Sequence, residues 1–180
     1  PAARGVTRWQ GLDTLTARIE DAGGNAVGFV GDVSTEDGAQ GLVDATLERY
    51  GRLDILVNNA GAPHGGDRGQ IETVSYEDWQ RVMTINAGGV FLMSRAAVPH
   101  MRSRGFGRII SMSSIAGLEP LPERGAYCAS KAAVIGFTRS LAYDLARDGI
   151  TVNCVCPGSI RTDRAISSTL RAGWTDVDEG

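Results

Sequence analysis

Two patterns of hydrophobic residues alternate along this chain. Short apolar runs, which are typical of buried strands, alternate with longer segments whose apolar residues recur at helical spacing. The predicted strands span residues 26–30, 53–57, 107–113 and 150–156. The predicted helices run from Leu12 to a stop at Gly23-Gly24, from Ser34 (paired with Asp37 as a capping box) to Tyr50, from about 76 to 102, and from about 124 to just before Gly149.

Strands that alternate with helices and are apolar on both faces indicate a parallel sheet covered by helices. The predicted fold class is therefore α/β, a doubly wound parallel sheet with helices on both faces. Ligands of such sheets bind beyond the carboxyl ends of the strands. Four residues come just after predicted strands, namely Asp32, Asn58, Ser114 and Pro157. We expect the functional site at that edge of the sheet, beside a glycine-rich loop (61–69) that has the least ordered sequence of the chain.

Length and composition narrow the class of protein. The 180 residues are predicted to form one domain, 1–180, with 42% hydrophobic and 22% charged residues, as in ordinary globular proteins. No apolar run approaches the roughly 18 residues of a membrane span. The formal net charge is −3 and no basic stripe is present, which argues against a nucleic-acid partner.

The cysteines favour a reducing, cytoplasmic setting. Cys128, Cys154 and Cys156 form an odd and sparse set, which is not a disulfide framework. Cys154 and Cys156 alternate within a predicted strand and are expected on one face of it. We favour small buried thiols over a metal site, because the chain has only two histidines to complete one. No metal ligand is predicted.

The strongest chemical motif is Tyr127-Cys128-Ala129-Ser130-Lys131. On a helix, residues four apart lie on nearly the same face, about one turn from each other. A tyrosine is a weak base at neutral pH, and a neighbouring ammonium favours the phenolate. Lys131 is the only lysine among 18 basic residues, all others being arginine. An ordinary surface Tyr–Lys pair is the alternative.

Further motifs accompany this pair in a fixed order. They are Asn58-Asn59-Ala60-Gly61, Asn86 in Thr84-Ile85-Asn86-Ala87, Ser114 placed 13 residues before Tyr127, and Pro157-Gly158-Ser159-Ile160-Arg161-Thr162. Together they resemble the signatures of classical short-chain dehydrogenases/reductases, in particular 3-oxoacyl-[acyl-carrier-protein] reductases. The resemblance covers roughly residues 1–165 and implies a Rossmann-like fold.

The resemblance implies a catalytic set of Asn86, Ser114, Tyr127 and Lys131. Tyr127 would act as general acid in reduction and general base in oxidation, and Ser114 would hydrogen-bond the substrate oxygen. Lys131 would tune Tyr127 and hold the nicotinamide ribose, while Asn86 would kink its helix and anchor a water. The implied substrate is a small carbonyl compound or secondary alcohol, which exchanges hydride directly with the cofactor, so that no metal is required.

The implied cofactor is a nicotinamide dinucleotide, with NADP(H) favoured over NAD(H). Ala2-Ala3-Arg4 resembles the close of the second strand in NADP-preferring members, where the arginine pairs with the 2′-phosphate. An unrelated loop arginine is the alternative. The implied cofactor-binding residues are Arg4, Asp32, Val33, Asn58, Ala60, Gly61, Tyr127, Lys131, Pro157, Gly158, Ile160 and Thr162.

One signature of the family is absent from this sequence. The Thr-Gly-x-x-x-Gly-x-Gly loop, which holds the pyrophosphate at a helix N-terminus, does not occur. The chain is therefore expected to start at the end of the family's second strand and to lack the first and last strands. We expect a sheet that is incomplete at both ends and binds cofactor poorly.

Several alternatives stay open. Ser113 could compete with Ser114 for the catalytic role, and Asn86 and Asn58 could be purely structural. A non-catalytic scaffold or sensor would need none of these groups, and a hydrolase using Ser114 lacks a Gly-x-Ser-x-Gly elbow and a histidine in a triad setting. The resemblance also implies a homodimer or homotetramer formed through the two long helices, residues 76–102 and 124–148.

Overall fold

The computed structural model describes residues 11–160. Two compact units divide the chain, and their described parts are residues 11–29 with 158–160, and residues 30–157. The first unit contains helix α1 (Leu12–Asp21). The second contains α2 (Glu36–Tyr50), β1 (Ile55–Asn58), α3 (Tyr76–Met83), α4 (Gly89–Arg104), β2 (Gly107–Met112), α5 (Gly125–Asp144) and β3 (Ile150–Val155).

Side-chain caps set the starts of two helices. Thr35 caps α2, its Oγ1 accepting a hydrogen bond from the Gly38 amide at 3.1 Å. The predicted capping box at Ser34 is wrong by one residue, because the Ser34 hydroxyl donates instead to the Asp32 carboxylate at 2.6 Å. Ser75 caps α3 in the same way, accepting from the Asp78 amide at 3.0 Å.

The three strands form a parallel sheet in the order β1-β2-β3. Leu56 lies opposite Ile109, which lies opposite Val152, so that these three side chains point to the same face. The parallel strands and their helical connections confirm the predicted α/β, Rossmann-like class. Their carboxyl ends lie along one edge, as the site prediction requires.

Within residues 30–157 the core lies on the face that carries Leu56, Ile109 and Val152. Helix α4 contacts β1 and β2, α5 contacts β3, and α2 packs against α4. The buried core residues are Val43, Leu56, Ala96, Ala97, Val98, Met101, Ile109, Leu145, Ile150 and Val152. Ile55 and Val57 point to the other face of β1 and are 57% and 54% exposed.

The strand predicted at residues 26–30 is not present. Residues 24–32 have no regular secondary structure, and Val30 is 95% exposed. An isolated apolar run gains stability as a strand only when a neighbour completes its hydrogen bonds, and the sequence pattern cannot show whether that neighbour exists. Asp32 therefore does not follow a strand, contrary to the expectation.

The other predicted elements are present with small shifts at their ends. The helix expected at 76–102 is one helical segment from Tyr76 to Arg104, interrupted by a π-helical turn, Thr84–Gly88. The helix expected to end before Gly149 ends at Asp144. Between residues 11 and 160, no helix combines the length and apolar character that crossing a membrane requires.

Candidate active site

The segments after β2 and β3 run side by side at the carboxyl edge of the sheet. The Ser113 amide donates to the Val155 carbonyl at 2.8 Å, and the Ile115 amide donates to the Pro157 carbonyl at 3.0 Å. Ser114 lies between these two bonds in extended conformation. The residues before and after Ser114 are therefore both hydrogen-bonded to the end of β3 and the segment that follows it.

Helix α5 places Tyr127 and Lys131 at the same edge. The Lys131 Nζ lies 5.8 Å from the centroid of the Tyr127 ring and donates to the Met112 carbonyl at 2.7 Å. Lys131 is only 8% exposed. Burying an ammonium is costly unless it is hydrogen-bonded, and the Met112 carbonyl meets part of that need. The result is a positive charge that is fixed beside a phenol.

The two adjacent serines have different partners. The Ser113 hydroxyl is buried and donates to the Lys131 carbonyl at 2.9 Å. The Ser114 Oγ accepts from the Ala116 amide at 3.2 Å and is half-buried. A hydroxyl that accepts can still donate its own hydrogen. Ser114 can therefore donate to a ligand, whereas Ser113 connects β2 to α5.

Gly117 brings the Ser114 segment into close contact with α5. A Cβ atom added at Gly117 would lie 2.8 Å from the Lys131 carbonyl carbon and 2.9 Å from its oxygen. These are rigid backbone atoms, so a side chain there must displace either the 3₁₀ turn Ile115–Gly117 or the helix. Glycine at this position keeps Ser114 near the Tyr127–Lys131 turn.

We expect Gly117→Ala to destabilise the chain by about 1–3 kcal/mol, because the added methyl group overpacks this contact. Gly136→Ala is the matched control. Gly136 lies within α5, and a Cβ atom added there would have open space around it. That change should be neutral or stabilising by up to about 1 kcal/mol. Urea unfolding of both variants measures the difference, and equal midpoints would contradict the argument.

Asn86 joins the loop after β1 to α5. It lies in the π-helical turn and is 2% exposed. Its Oδ1 accepts from the Ala62 amide at 2.7 Å, and its Nδ2 donates to the Ser130 Oγ at 2.9 Å. The Ser130 hydroxyl in turn donates to the Tyr127 carbonyl at 2.8 Å. The loop and the helix that carries Tyr127 are thus linked through one buried amide.

Asn58 makes its contacts inside the protein. Its Nδ2 donates to Ser94 Oγ of α4 at 3.4 Å and to Ser111 Oγ of β2 at 3.3 Å. Within residues 11–160 the buried Oδ1 has no hydrogen-bond partner. The Nδ2 contacts tie β1 to its neighbours, which is the structural alternative considered for this residue.

The glycine-rich loop after β1 is held by Arg81 of α3. The guanidinium donates to the Pro63 carbonyl at 3.2 Å and to the Asp67 carboxylate at 3.1 Å, and it also contacts Asp78. Asp67 is 5% exposed and accepts from the Gly65 amide as well. A partly buried ion pair therefore anchors this glycine-rich loop.

An apolar cavity of about 260 Å³ lies beside the start of α5. Its lining residues are Gly69, Gln70, Ile71, Val74, Trp79, Leu121, Glu123, Gly125 and Ala126. Ala126 directly precedes Tyr127, so the cavity adjoins the candidate catalytic turn. It offers space for an apolar group next to the polar site.

Asp32 and Val33 are held near the start of α4. Asp32 accepts from the amide and the hydroxyl of Ser34, and these hydrogen bonds lower the pKa of its carboxyl below the ordinary value. Asp32 is therefore ionised at neutral pH. Val33 packs against Gly89, where an added Cβ would lie 3.1 Å from Val33 Cγ2.

The other predicted cofactor-binding residues come from three separate parts of the chain. Arg4 and Thr162 lie outside the described residues. Gly158 and Ile160 belong to the other unit, where Ile160 is 60% exposed without regular structure. Ala60 and Gly61 are exposed in the loop after β1. No group of three His, Cys, Asp or Glu side chains within residues 11–160 could hold a metal ion.

The structure adds three residues that the sequence analysis did not select. Ser130 could have been found inside the quoted Tyr-Cys-Ala-Ser-Lys motif, where only one helical turn separates it from Tyr127. Gly117 lies three residues after Ser114, and no local pattern indicates its close contact with α5. Arg81 belongs to no motif, and nothing in its local sequence connects it to Asp67.

Comparisons with known proteins place the chain in a family. The family model described as short chain dehydrogenase matches residues 6–172. An uncharacterized oxidoreductase of Thermotoga maritima is 44% identical over 163 residues, which is 90% of this chain and 62% of that protein. A 3-oxoacyl-[acyl-carrier-protein] reductase of Synechocystis is 40% identical over 151 residues, 84% of this chain and 60% of that protein.

Solved structures of dehydrogenases have a similar fold. The crystal structure of an NAD⁺-bound xylitol dehydrogenase superposes with a TM-score of 0.82 and 32% identity, over 92% of this chain and 64% of that one. The chain thus spans less than two thirds of the length of each of these three proteins. The family match spans every described residue that builds the site.

Proposed function

Because the chain belongs to the short-chain dehydrogenase family, we propose that it carries the catalytic site of an NAD(P)-dependent oxidoreductase that interconverts a ketone and a secondary alcohol. One observation carries the proposal. The ammonium of Lys131 is buried and fixed 5.8 Å from the Tyr127 ring, at the carboxyl edge of a parallel sheet. A buried charge beside a potential acid is costly for the fold and useful for proton transfer.

The side chains divide the work on the substrate oxygen. In reduction, the Tyr127 hydroxyl gives its proton to the carbonyl oxygen, and in oxidation the phenolate takes it back. The Ser114 hydroxyl donates a hydrogen bond to the same oxygen while negative charge develops there. The Lys131 ammonium stabilises the negative charge left on the Tyr127 oxygen. Asn86 and Ser130 position the helical turn that carries Tyr127.

The donors at this edge fit the nicotinamide ribose of the cofactor, which supplies the hydride when bound. The Lys131 ammonium has three N–H donors, and together with the Tyr127 hydroxyl it can hold ribose hydroxyls. Asp32 and Val33 would flank the adenine, with the ionised Asp32 accepting from its amino group. Preference for NADP over NAD rests on Arg4 and stays a prediction.

The substrate class follows from the surroundings of Tyr127. The apolar cavity beside Ala126 would take the part of the substrate that does not react. The curated relatives include a protein named as a 3-oxoacyl reductase, and the solved structures include one named as a xylitol dehydrogenase. We propose a ketone with an apolar substituent, such as a 3-oxoacyl thioester, rather than a sugar.

A substrate panel on the full-length protein tests the function. Loss of reduced-nicotinamide absorbance is followed with NADPH and with NADH, against a 3-oxoacyl thioester, a ketose and a small apolar ketone. We expect ketone-dependent oxidation, fastest with the thioester and NADPH. Cofactor binding without turnover on any ketone would instead indicate a non-catalytic scaffold.

The same proposal includes self-association through the long helices. Phe91 of α4 stacks edge-to-face on Phe137 of α5 at 6.1 Å and remains 45% exposed. Such a surface would be covered in a homodimer or homotetramer. Sedimentation equilibrium of the full-length protein should give two or four copies, and a monomer would contradict this part.

A further inference from the structure

Cys154 and Cys156 lie at the end of β3 with their side chains on one side. Cys154 is in the strand and Cys156 follows directly after it. The alternating hydrogen bonds from Ser113 and Ile115 to the Val155 and Pro157 carbonyls show that the chain stays extended through this stretch. In an extended chain, residues two apart point to the same side. The Cys154 and Cys156 side chains therefore lie on the same side of the strand.

Both thiols of the pair are partly exposed. Both cysteines are half-buried free thiols. Burial raises the pKa of the Cys154 thiol and the neighbouring Cys156 raises it further, while Thr138 and Arg139 act in the opposite direction. Reagents that need a thiolate are therefore disfavoured at Cys154. A ligand that can react with neutral thiols is not disfavoured at Cys154.

A direct disulfide fits this geometry badly. A disulfide needs Cβ atoms about 3.5–4.5 Å apart, whereas residues two apart on a strand are separated by about 6.6 Å. A zinc ion needs about four ligands, and residues 11–160 provide no cluster of three suitable side chains. An atom that bonds to both sulfurs can span a longer distance than a disulfide. If it already carries its third substituent, it needs no further ligand from the protein.

We propose that Cys154 and Cys156 form a dithiol binding site for a trivalent organoarsenic ligand. With an arylarsenoxide, two As–S bonds form and the arsenic–oxygen bond breaks. The oxygen leaves as water with both thiol protons, and arsenic remains trivalent. No oxidant or reductant takes part, and arsenic completes three-coordination with its own carbon substituent. Soft thiol ligands suit this soft centre.

The experiment uses the purified full-length protein with phenylarsine oxide. Intact-mass spectrometry should show one phenylarsenic group per chain, and the number of titratable thiols should fall by two. A dithiol such as 2,3-dimercaptopropanol should reverse the adduct, whereas a monothiol should not. Binding to the folded chain should raise the thermal midpoint by about 5–11 °C at a hundredfold excess over Kd.

Single serine substitutions locate the site. Cys154→Ser and Cys156→Ser should each abolish the adduct and the rise in midpoint, and Cys128→Ser is the matched control that should keep both. Circular dichroism checks that each variant is folded, and either of the first two variants is decisive alone. An adduct that survives in one of them, is lost in Cys128→Ser, or lowers the midpoint by binding the unfolded chain would overturn the proposal.

Discussion

Tyr127→Phe is expected to lower kcat for ketone reduction by the full-length protein by about 10²–10⁴-fold, the usual contribution of a positioned general acid. The substitution removes one oxygen and keeps the ring beside the Lys131 ammonium. Hydride delivery is then left without a proton donor at the carbonyl oxygen. Cofactor binding should weaken much less than kcat falls, because the Lys131 ammonium keeps its three N–H donors for the ribose hydroxyls.

Helix α5 provides a matched control for this variant. Tyr143 is on the same helix, is 90% exposed, and undergoes the same loss of a hydroxyl in Tyr143→Phe. Its kcat should equal that of the unmodified protein. Steady-state kinetics and fluorescence titration with the reduced cofactor measure the two effects separately. Equal turnover of Tyr127→Phe and Tyr143→Phe would remove Tyr127 from the chemistry.

The sequence predicts the relative placement of Tyr127 and Lys131 because this geometry is local. Tyr127 and Lys131 are four residues apart, and a helix places such residues one turn from each other whatever surrounds it. The order of strands and helices is also visible, since each element shows its own hydrophobic period. Burial of Lys131 is different, because it depends on the Met112 carbonyl, which comes from another element.

Contacts between distant residues account for what the sequence could not show. Asn86 and Ser130 are 44 residues apart, and only the packing of the π-helical turn against α5 brings them together. The Asp67–Arg81 ion pair fixes a loop whose glycines alone indicate freedom. Residues 26–30 have the composition of a strand, yet a strand also needs a neighbour. Each of these outcomes depends on a partner that local patterns do not identify.

Asn86→Ala should lower the free energy of unfolding of the chain by about 2–4 kcal/mol, because two buried hydrogen bonds are lost at once. The Ala62 amide loses its 2.7 Å bond to Oδ1, and the Ser130 hydroxyl loses its 2.9 Å bond from Nδ2. Asn153→Ala is the matched control. Asn153 is exposed on β3, so its substitution should change stability by less than about 0.5 kcal/mol.

A double-mutant cycle separates the Asn86–Ser130 contact from the rest. Ser130→Ala alone removes the partner of Nδ2 and the bond to the Tyr127 carbonyl. If the amide and the hydroxyl act as one network, the double variant should lose about 0.5–3 kcal/mol less than the sum of the single losses. Equilibrium urea unfolding of the four proteins gives this coupling. Additive losses would mean that Asn86 stabilises the loop after β1 and the Tyr127 turn independently, so the link between them would carry no energy.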